Sequence, residues 1–327
     1  MIAENTQKKE GEGDGFSFRK LIPYYMMNIL RPWIDAARPK TLLLALSSTL
    51  LGSFLAAAEQ RFHWNVFLLA ALTTILLQIL SNLANDYGDF TNGKDNANRV
   101  GPRRMVQSGE ISVLSMRYAI VLVTVCSFAA GIALIIAGTE GELPAVKVLF
   151  VILGIASIAA ALKYTIGDNP YGYRGWGDLS VFLFFGIIGT VGTYALHTHH
   201  ITADVFLPAA CIGFLSAGVL NVNNLRDEAT DTQAAKRTLV VLLGRDRAKI
   251  YQAILLALAV LSGCFYTLMN FRSGIQFLFL CSLPFLVKHV RTVIKNTCPE
   301  ELNAELKNLS LSTLLFSILF GLGLIFR

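Results

Sequence analysis

Nine stretches without a single Asp, Glu, Lys or Arg recur along the chain, at residues 41–58, 64–85, 118–139, 148–162, 179–198, 205–225, 250–271, 273–287 and 308–326. A helix needs about 20 mostly apolar residues to cross the hydrocarbon of a bilayer. The fourth and eighth stretches are short and are expected to extend over Lys147 and Lys288. Leu, Ile, Ala, Phe and Gly fill these runs without the period-2 alternation of a barrel strand. In lipid their backbone must then satisfy itself within each segment, which makes them helices. Only 15% of residues are charged, against about 25% in soluble domains, and the mean hydropathy is +0.54. The expected fold is all-α: a polytopic membrane protein with about nine transmembrane helices.

Residues 1–32 read as a polar tail followed by an interfacial segment, and 33–327 as the membrane-embedded domain. The first 20 residues are rich in Gly, Glu and Lys and lack a short apolar core behind a basic start, so no cleaved signal peptide is expected. Residues 16–38 mix aromatics with Arg and Lys, as a helix lying in the interface does. The five cysteines are scattered and form no C-x-x-C, so they read as small apolar residues.

With the N-terminus on the cytoplasmic side, 24 of the 28 Lys and Arg fall on that side. The other side keeps Arg61, Lys147, Arg272 and Arg327. This is a strong positive-inside bias, and a miscounted pair of helices would scramble it. It also removes His197, His199 and His200 from consideration as catalysts. They fall on the far side and read as an exposed loop.

Two acidic clusters stand out against this background. The first reads Asn85-x-x-x-Asp89, with Asp86 adjacent and Asp95 downstream; the second reads Asn223-x-x-x-Asp227-x-x-x-Asp231. Each begins at the cytoplasmic end of an even-numbered span. Basic residues follow in both cases, Arg99, Arg103 and Arg104 in one and Lys236 and Arg237 in the other. The pair reads as a weak internal repeat whose helix ends face one cavity. Residues i and i+4 share a helix face, so the carboxylates stack and repel unless something neutralises them. An unpaired charge near hydrocarbon costs roughly 2.5–3.5 kcal/mol. Oxygen ligands without His or Cys select Mg²⁺ or a similar hard ion. Mg²⁺ takes one or two carboxylates and completes its shell with water and phosphate. Asp86, Asp89, Asp95, Asp227 and Asp231 are therefore candidate metal ligands, with Asn85 and Asn223 alongside. Arg99, Arg103, Lys236 and Arg237 are candidate phosphate ligands. Together they predict a metal-bound diphosphate site.

The stretches NDYGDFTNGKDNANRVGPRRMVQSGEIS and NNLRDEATDTQAAKRTLVVLLG resemble the two signature loops of the UbiA-type membrane prenyltransferase superfamily. ARPKTL at 37–42 and YGYRGWGDLSVFLFFG at 171–186 are similar to its naphthoate-prenylating, MenA-type branch. The resemblance runs from about residue 33 to the last span. It implies nine helices around a central cavity open to lipid, in the bacterial inner membrane, with the active loops cytoplasmic. It also implies Mg²⁺-dependent transfer of a polyprenyl group from polyprenyl diphosphate to 1,4-dihydroxy-2-naphthoate, with loss of CO₂ and diphosphate, in menaquinone biosynthesis. Membrane lipid is then the remaining partner, and nucleic acid is not one. On this reading Asp89 and Asp227 are catalytic, and Lys163 or Tyr164 contacts the diphosphate or the carbocation. Two departures stand out. Gly93 occupies the position four after Asp89, and Ala235 replaces the glycine of the branch's usual G-K-R-T, a small change unless the position needs positive φ.

Some assignments stay double. Tyr171 and Tyr173 suit a cation-stabilising wall or an interfacial aromatic belt. Asp178 steers the aromatic substrate or caps the fifth helix. Arg38 and Lys40 attract an acidic acceptor or only set topology. A related acceptor such as 4-hydroxybenzoate leaves the chemistry unchanged. A secondary transporter is the more distant alternative, and acids clustered at helix ends on one side disfavour alternating access.

Overall fold

The computed structural model of the protein describes residues 30–94 and 100–327. Among them, nine helices are long and apolar enough to cross a membrane: α1 Pro39–Ala58, α2 Trp64–Thr91, α3 Val113–Gly138, α4 Pro144–Lys163, α5 Gly177–Thr198, α6 Ala203–Gln233, α7 Arg245–Met269, α8 Gly274–Lys295 and α9 Pro299–Ile325. No strand occurs among the described residues. The protein is an all-helical polytopic membrane protein. Lys147 and Lys288 lie inside α4 and α8, as the short fourth and eighth runs require.

Most of the expected interfacial helix, residues 16–29, lies outside the described residues. Residues 30–37 are helical. That helix stops at Arg38, whose φ of 52° turns the chain into Pro39 at the start of α1. Asn82 of α2 fastens the corner, donating from Nδ2 to the Ala37 carbonyl at 2.8 Å and to Thr41 Oγ1 at 2.9 Å.

Two helices overrun their charge-free runs. α2 continues past Asn85 to Thr91, and α6 continues past Leu225 to Gln233. Both acidic motifs are therefore helical, and their i, i+4 members share a face.

α6 is the central helix. Its Cys211, Ile212 and Leu215 are buried among Leu51 and Leu55 of α1, Phe279 of α8, and Phe316 and Phe320 of α9. A second cluster joins Leu80 and Leu83 of α2 and Met116 and Ile120 of α3 to Met105, Val106 and Ile111 of the intervening loop. α4 buries none of its residues. One face of it, with Phe150, Leu153 and Gly154, lines the cavity described below, while Val148, Leu149, Ile152 and Ile155 point outward. In water such a face would be an association surface; in a bilayer it matches its solvent.

α5 is π-helical over Phe182–Val191, between α-helical ends. A wider turn of this kind commonly marks a functional site, and here Phe184, Phe185, Ile188 and Gly189 of it line the cavity. Gly186 lets the segment lie directly on α6. A methyl there would meet Gly213 Cα at 2.7 Å and the Ala209 carbonyl oxygen at 2.8 Å. Small residues at such crossings are the usual device for close helix packing in membranes.

One expectation on the far side is corrected. His197 is buried, not exposed, because α5 continues through it. The His63 N–H donates to its Nδ1 at 3.2 Å, so Nε2 carries the proton toward Ser53 Oγ at 3.1 Å. His199 and His200 are exposed.

Gly186→Leu is expected to push α5 away from α6. Overpacking of this kind costs about 1–3 kcal/mol. Thermal unfolding of the purified variant in detergent should show a lowered midpoint.

Candidate active site

A cavity of about 1310 Å³ opens between the helices. Asp89 and Ala70, both on α2, line it; at 1.5 Å rise per residue they lie roughly 28 Å apart along the helix axis. Its floor is charged and carries both motifs: Asn85 and Asp89 from α2, and Asn223, Asp227 and Asp231 from α6. Above the floor the walls are Leu44, Leu77, Leu134, Phe150, Phe185 and Ile188, among others. Charged groups thus sit at one end of a mostly apolar shaft.

The buried Asp89 is the meeting point of the two loops. Lys236 Nζ, from the second loop, donates to its Oδ1 at 2.9 Å. Tyr173 donates its phenol to the same oxygen at 2.6 Å, and the buried Arg104 pairs with Oδ2. Lys236 also lies 3.8 Å from Asp231 Oδ1 and 4.9 Å from the centroid of the Tyr173 ring. On α6, Arg226 grips Asp227 in bidentate fashion, Nε to Oδ1 at 2.8 Å and Nη2 to Oδ2 at 2.6 Å. The same guanidinium donates to Asn223 Oδ1 at 2.8 Å and to Asn303 Oδ1 of α9 at 3.0 Å.

Asp86 was expected among the metal ligands, but it meets a different geometry. Three residues before Asp89, it faces the 104–111 loop, and its oxygens accept the Met105 and Val106 N–H groups at 2.9 and 3.0 Å. It does not line the cavity. Its carboxylate holds the loop that presents Arg104.

The remaining expected residues divide. Arg38, Arg103 and Tyr164 line the cavity, and Arg103 also pairs with Glu110 at 2.5 Å. Lys163 and Arg237 are exposed and lie outside the wall. Asp178 is buried behind it and faces the Tyr251 hydroxyl. Asp95 and Arg99 lie outside the described residues. Arg226, Tyr173 and Asn303 were given no firm place by sequence reasoning, and neither was Arg104. Arg226 carried a signal, since a cation inside an acidic helical motif invites pairing with its neighbours.

Tyr164 and Tyr173 both titrate well above the ordinary tyrosine range. Burial is the main cause; for Tyr164 the Asp178 charge comes next, and for Tyr173 the Asp89 charge. Both phenols stay protonated at any physiological pH. Neither is available as a base, and the Tyr173 phenol donates a hydrogen bond to Asp89.

Among the described residues, no group of three or more His, Cys, Asp or Glu is tight enough to hold a metal by itself. The floor offers carboxylates and amide oxygens on two helices, with Asp89, Asp227 and Asp231 as its acidic donors. That suits an ion needing only one or two carboxylates at a time, with phosphate oxygens supplying the rest. Chemically, the floor can receive a metal-complexed polyanion, and the shaft can receive a long apolar chain.

Both the sequence and the fold have known relatives. The UbiA prenyltransferase family matches residues 45–317. A Haemophilus influenzae protein named 1,4-dihydroxy-2-naphthoate octaprenyltransferase is 44% identical over 298 residues, covering 90% of this chain and 96% of its own. An Escherichia coli protein of the same name is 41% identical, over 89% of this chain and 94% of its own. Among solved structures, a UbiA homolog from Archaeoglobus fulgidus bound to GPP and Mg²⁺ shares the fold. Its TM-score is 0.62 at 16% identity, over 90% of this chain and all of its own.

Two outcomes follow from the site's scaffold. Asp86→Asn replaces one acceptor by a donor against a buried N–H, which costs about 1–3 kcal/mol; the unfolding midpoint should fall. Ala235 has φ 52°, in the left-handed region that costs an L-residue about 1–2 kcal/mol. Ala235→Gly should therefore stabilise the protein by about 1 kcal/mol, raising the midpoint by a few degrees in the same assay.

Proposed function

The chain belongs to the UbiA prenyltransferase family, and from that premise we propose how its cavity carries out the reaction. The enzyme transfers a prenyl group in menaquinone biosynthesis, the activity named for the naphthoate octaprenyltransferases that match about nine-tenths of it. The donor is a polyprenyl diphosphate, octaprenyl by the relatives' names, and the acceptor is 1,4-dihydroxy-2-naphthoate. The observation that carries this reading is the convergence of both Asn/Asp motifs on the charged floor of one apolar shaft.

The diphosphate lies on the floor and the polyprenyl tail runs up the shaft. Mg²⁺, held by Asp89, Asp227 and Asp231 with Asn85 and Asn223 beside them, would supply Lewis-acid charge to the leaving group when bound. Lys236, Arg104 and Arg226, already converged on these carboxylates, re-pair with phosphate oxygens as the donor enters. The allylic C–O bond breaks and its electron pair leaves with the diphosphate. The neutral rings of Tyr164 and Tyr173 face the cationic carbon, a contact worth about 0.5–2 kcal/mol. The apolar shaft keeps water from the cation. The ring carbon bearing the carboxylate forms the new C–C bond. The C–CO₂⁻ pair returns to the ring, and CO₂ departs. Arg38 and Lys40, at the cavity rim, attract the acceptor's carboxylate beforehand. Lys163, Arg237 and Asp178, outside the wall, are given no contact with substrate. The charge bias supports a cytoplasmic floor, and the bacterial relatives support an inner-membrane location.

Purified protein in nanodiscs is tested with octaprenyl diphosphate and either 1,4-dihydroxy-2-naphthoate or 4-hydroxybenzoate, with Mg²⁺ or with EDTA. A prenylated naphthoquinol with CO₂ release, abolished by EDTA, is expected. Product only from hydroxybenzoate would move the acceptor assignment. Asp227→Ala should lose turnover by more than about a hundredfold while remaining inserted, and wild-type activity in that variant would remove the floor from the reaction.

A further inference from the structure

A buried polar chain crosses the second half of the protein, away from the cavity. Asn221 of α6 donates from Nδ2 to Gln252 Oε1 of α7 at 2.9 Å and to the Ala248 carbonyl at 3.0 Å. Gln252 Nε2 meets His289 Nε2 of α8 at 3.1 Å, and His289 Nδ1 meets Glu305 Oε2 of α9 at 2.6 Å. Asn308 Nδ2 donates to the other Glu305 oxygen at 3.0 Å. Asn221 and Gln252 are 0% exposed, His289 2% and Glu305 8%. None of the five lines the cavity.

The Ala248 carbonyl sets the polarity of every link. It can only accept, so Asn221 presents Nδ2 to it. Gln252 must then accept with Oε1 and donate with Nε2. His289 therefore accepts at Nε2 and carries its proton on Nδ1, where it donates to Glu305. A neutral imidazole of one tautomer is fixed by a distant backbone oxygen.

Two members of this chain lie two residues from a cavity-lining asparagine: Asn221 from Asn223 on α6, and Glu305 from Asn303 on α9. Those two asparagines hold the Arg226 guanidinium, which grips Asp227. α6 and α9 are thus bridged twice, by Arg226 on the cavity side and by Gln252 and His289 on the far side. We infer that His289 is a positioning residue for donor binding, setting the register of α9 against α6 and, through Asn303, the aim of Arg226 at Asp227. Half-made polar chains are costly in hydrocarbon, and buried polar links are best attested as devices that specify register. The inference rests on the proposed donor site at Asp227.

The test is steady-state kinetics in nanodiscs with donor and acceptor varied separately. Wild-type turnover, measured first, separates a failure of the reaction assignment from a failure of this inference. His289→Gln keeps an oxygen for Gln252 and an N–H for Glu305, whereas His289→Leu keeps neither. His289→Leu should lower donor kcat/KM by about ten- to a hundredfold with acceptor KM within about twofold. His289→Gln should restore most of the loss. Equal impairment of the two variants, or a loss shared equally between donor and acceptor, overturns the inference. Gln252→Met cuts the chain at an uncharged link and should reproduce the donor-specific loss. If His289→Leu does not fold, wild-type donor kcat/KM in Gln252→Met overturns the inference instead.

Discussion

A carboxylate held at the edge of hydrocarbon needs a cation or backbone N–H groups within reach before it can do anything else. That constraint organises the floor of the cavity. Asp89 meets Arg104 from its own loop and Lys236 from the other, and Asp227 meets the adjacent Arg226. Because Lys236 comes from the second motif, Asp89 gains its second cation only when both halves of the chain are in place. Lys94 Nζ adds a second tie between the loops, donating to the Ala234 carbonyl at 2.5 Å. Closing the bundle and assembling the site are the same event.

The scaffold follows from the same economy of polar groups. The hydrocarbon admits only helices, so the chain builds its cavity from spaces between them. The π-helical part of α5 and the Gly186 contact with α6 leave one wall of the shaft set by backbone packing. Another wall, α4, has no buried residue and borders lipid on its outer face.

Much of this was legible in the sequence. The charge-free runs located all nine described spans, because a helix length without one charged residue suits hydrocarbon and is rare on any helix that meets water. The i, i+4 spacing placed Asn85 with Asp89 and Asp227 with Asp231, since helical geometry alone decides it. Partner choice was not legible. Asp86 and Asp89 are three residues apart on one helix, yet one anchors a loop and the other faces the cavity; only the path of residues 104–111 separates them. The nearness of Arg226 to Asn223 and Asp227 is visible in the sequence, but its third partner, Asn303, is 77 residues away. Adjacency pairs Lys163 with Tyr164, but neighbouring residues on a helix point about 100° apart. Ala235 in place of glycine reads as a small change, and its cost is visible only in its positive φ.

The paired floor also bears on how the enzyme lets go. Asp89 is tethered beside Lys236, and Asp227 beside Arg226, so on the proposed reading each carboxylate competes for the cation that diphosphate would hold. A tethered competitor acts at an effective concentration of roughly millimolar or more, whatever the concentration of product outside. On that reading, the same pairs that weaken the first encounter with donor also hasten the departure of inorganic diphosphate, and the site is its own product antagonist.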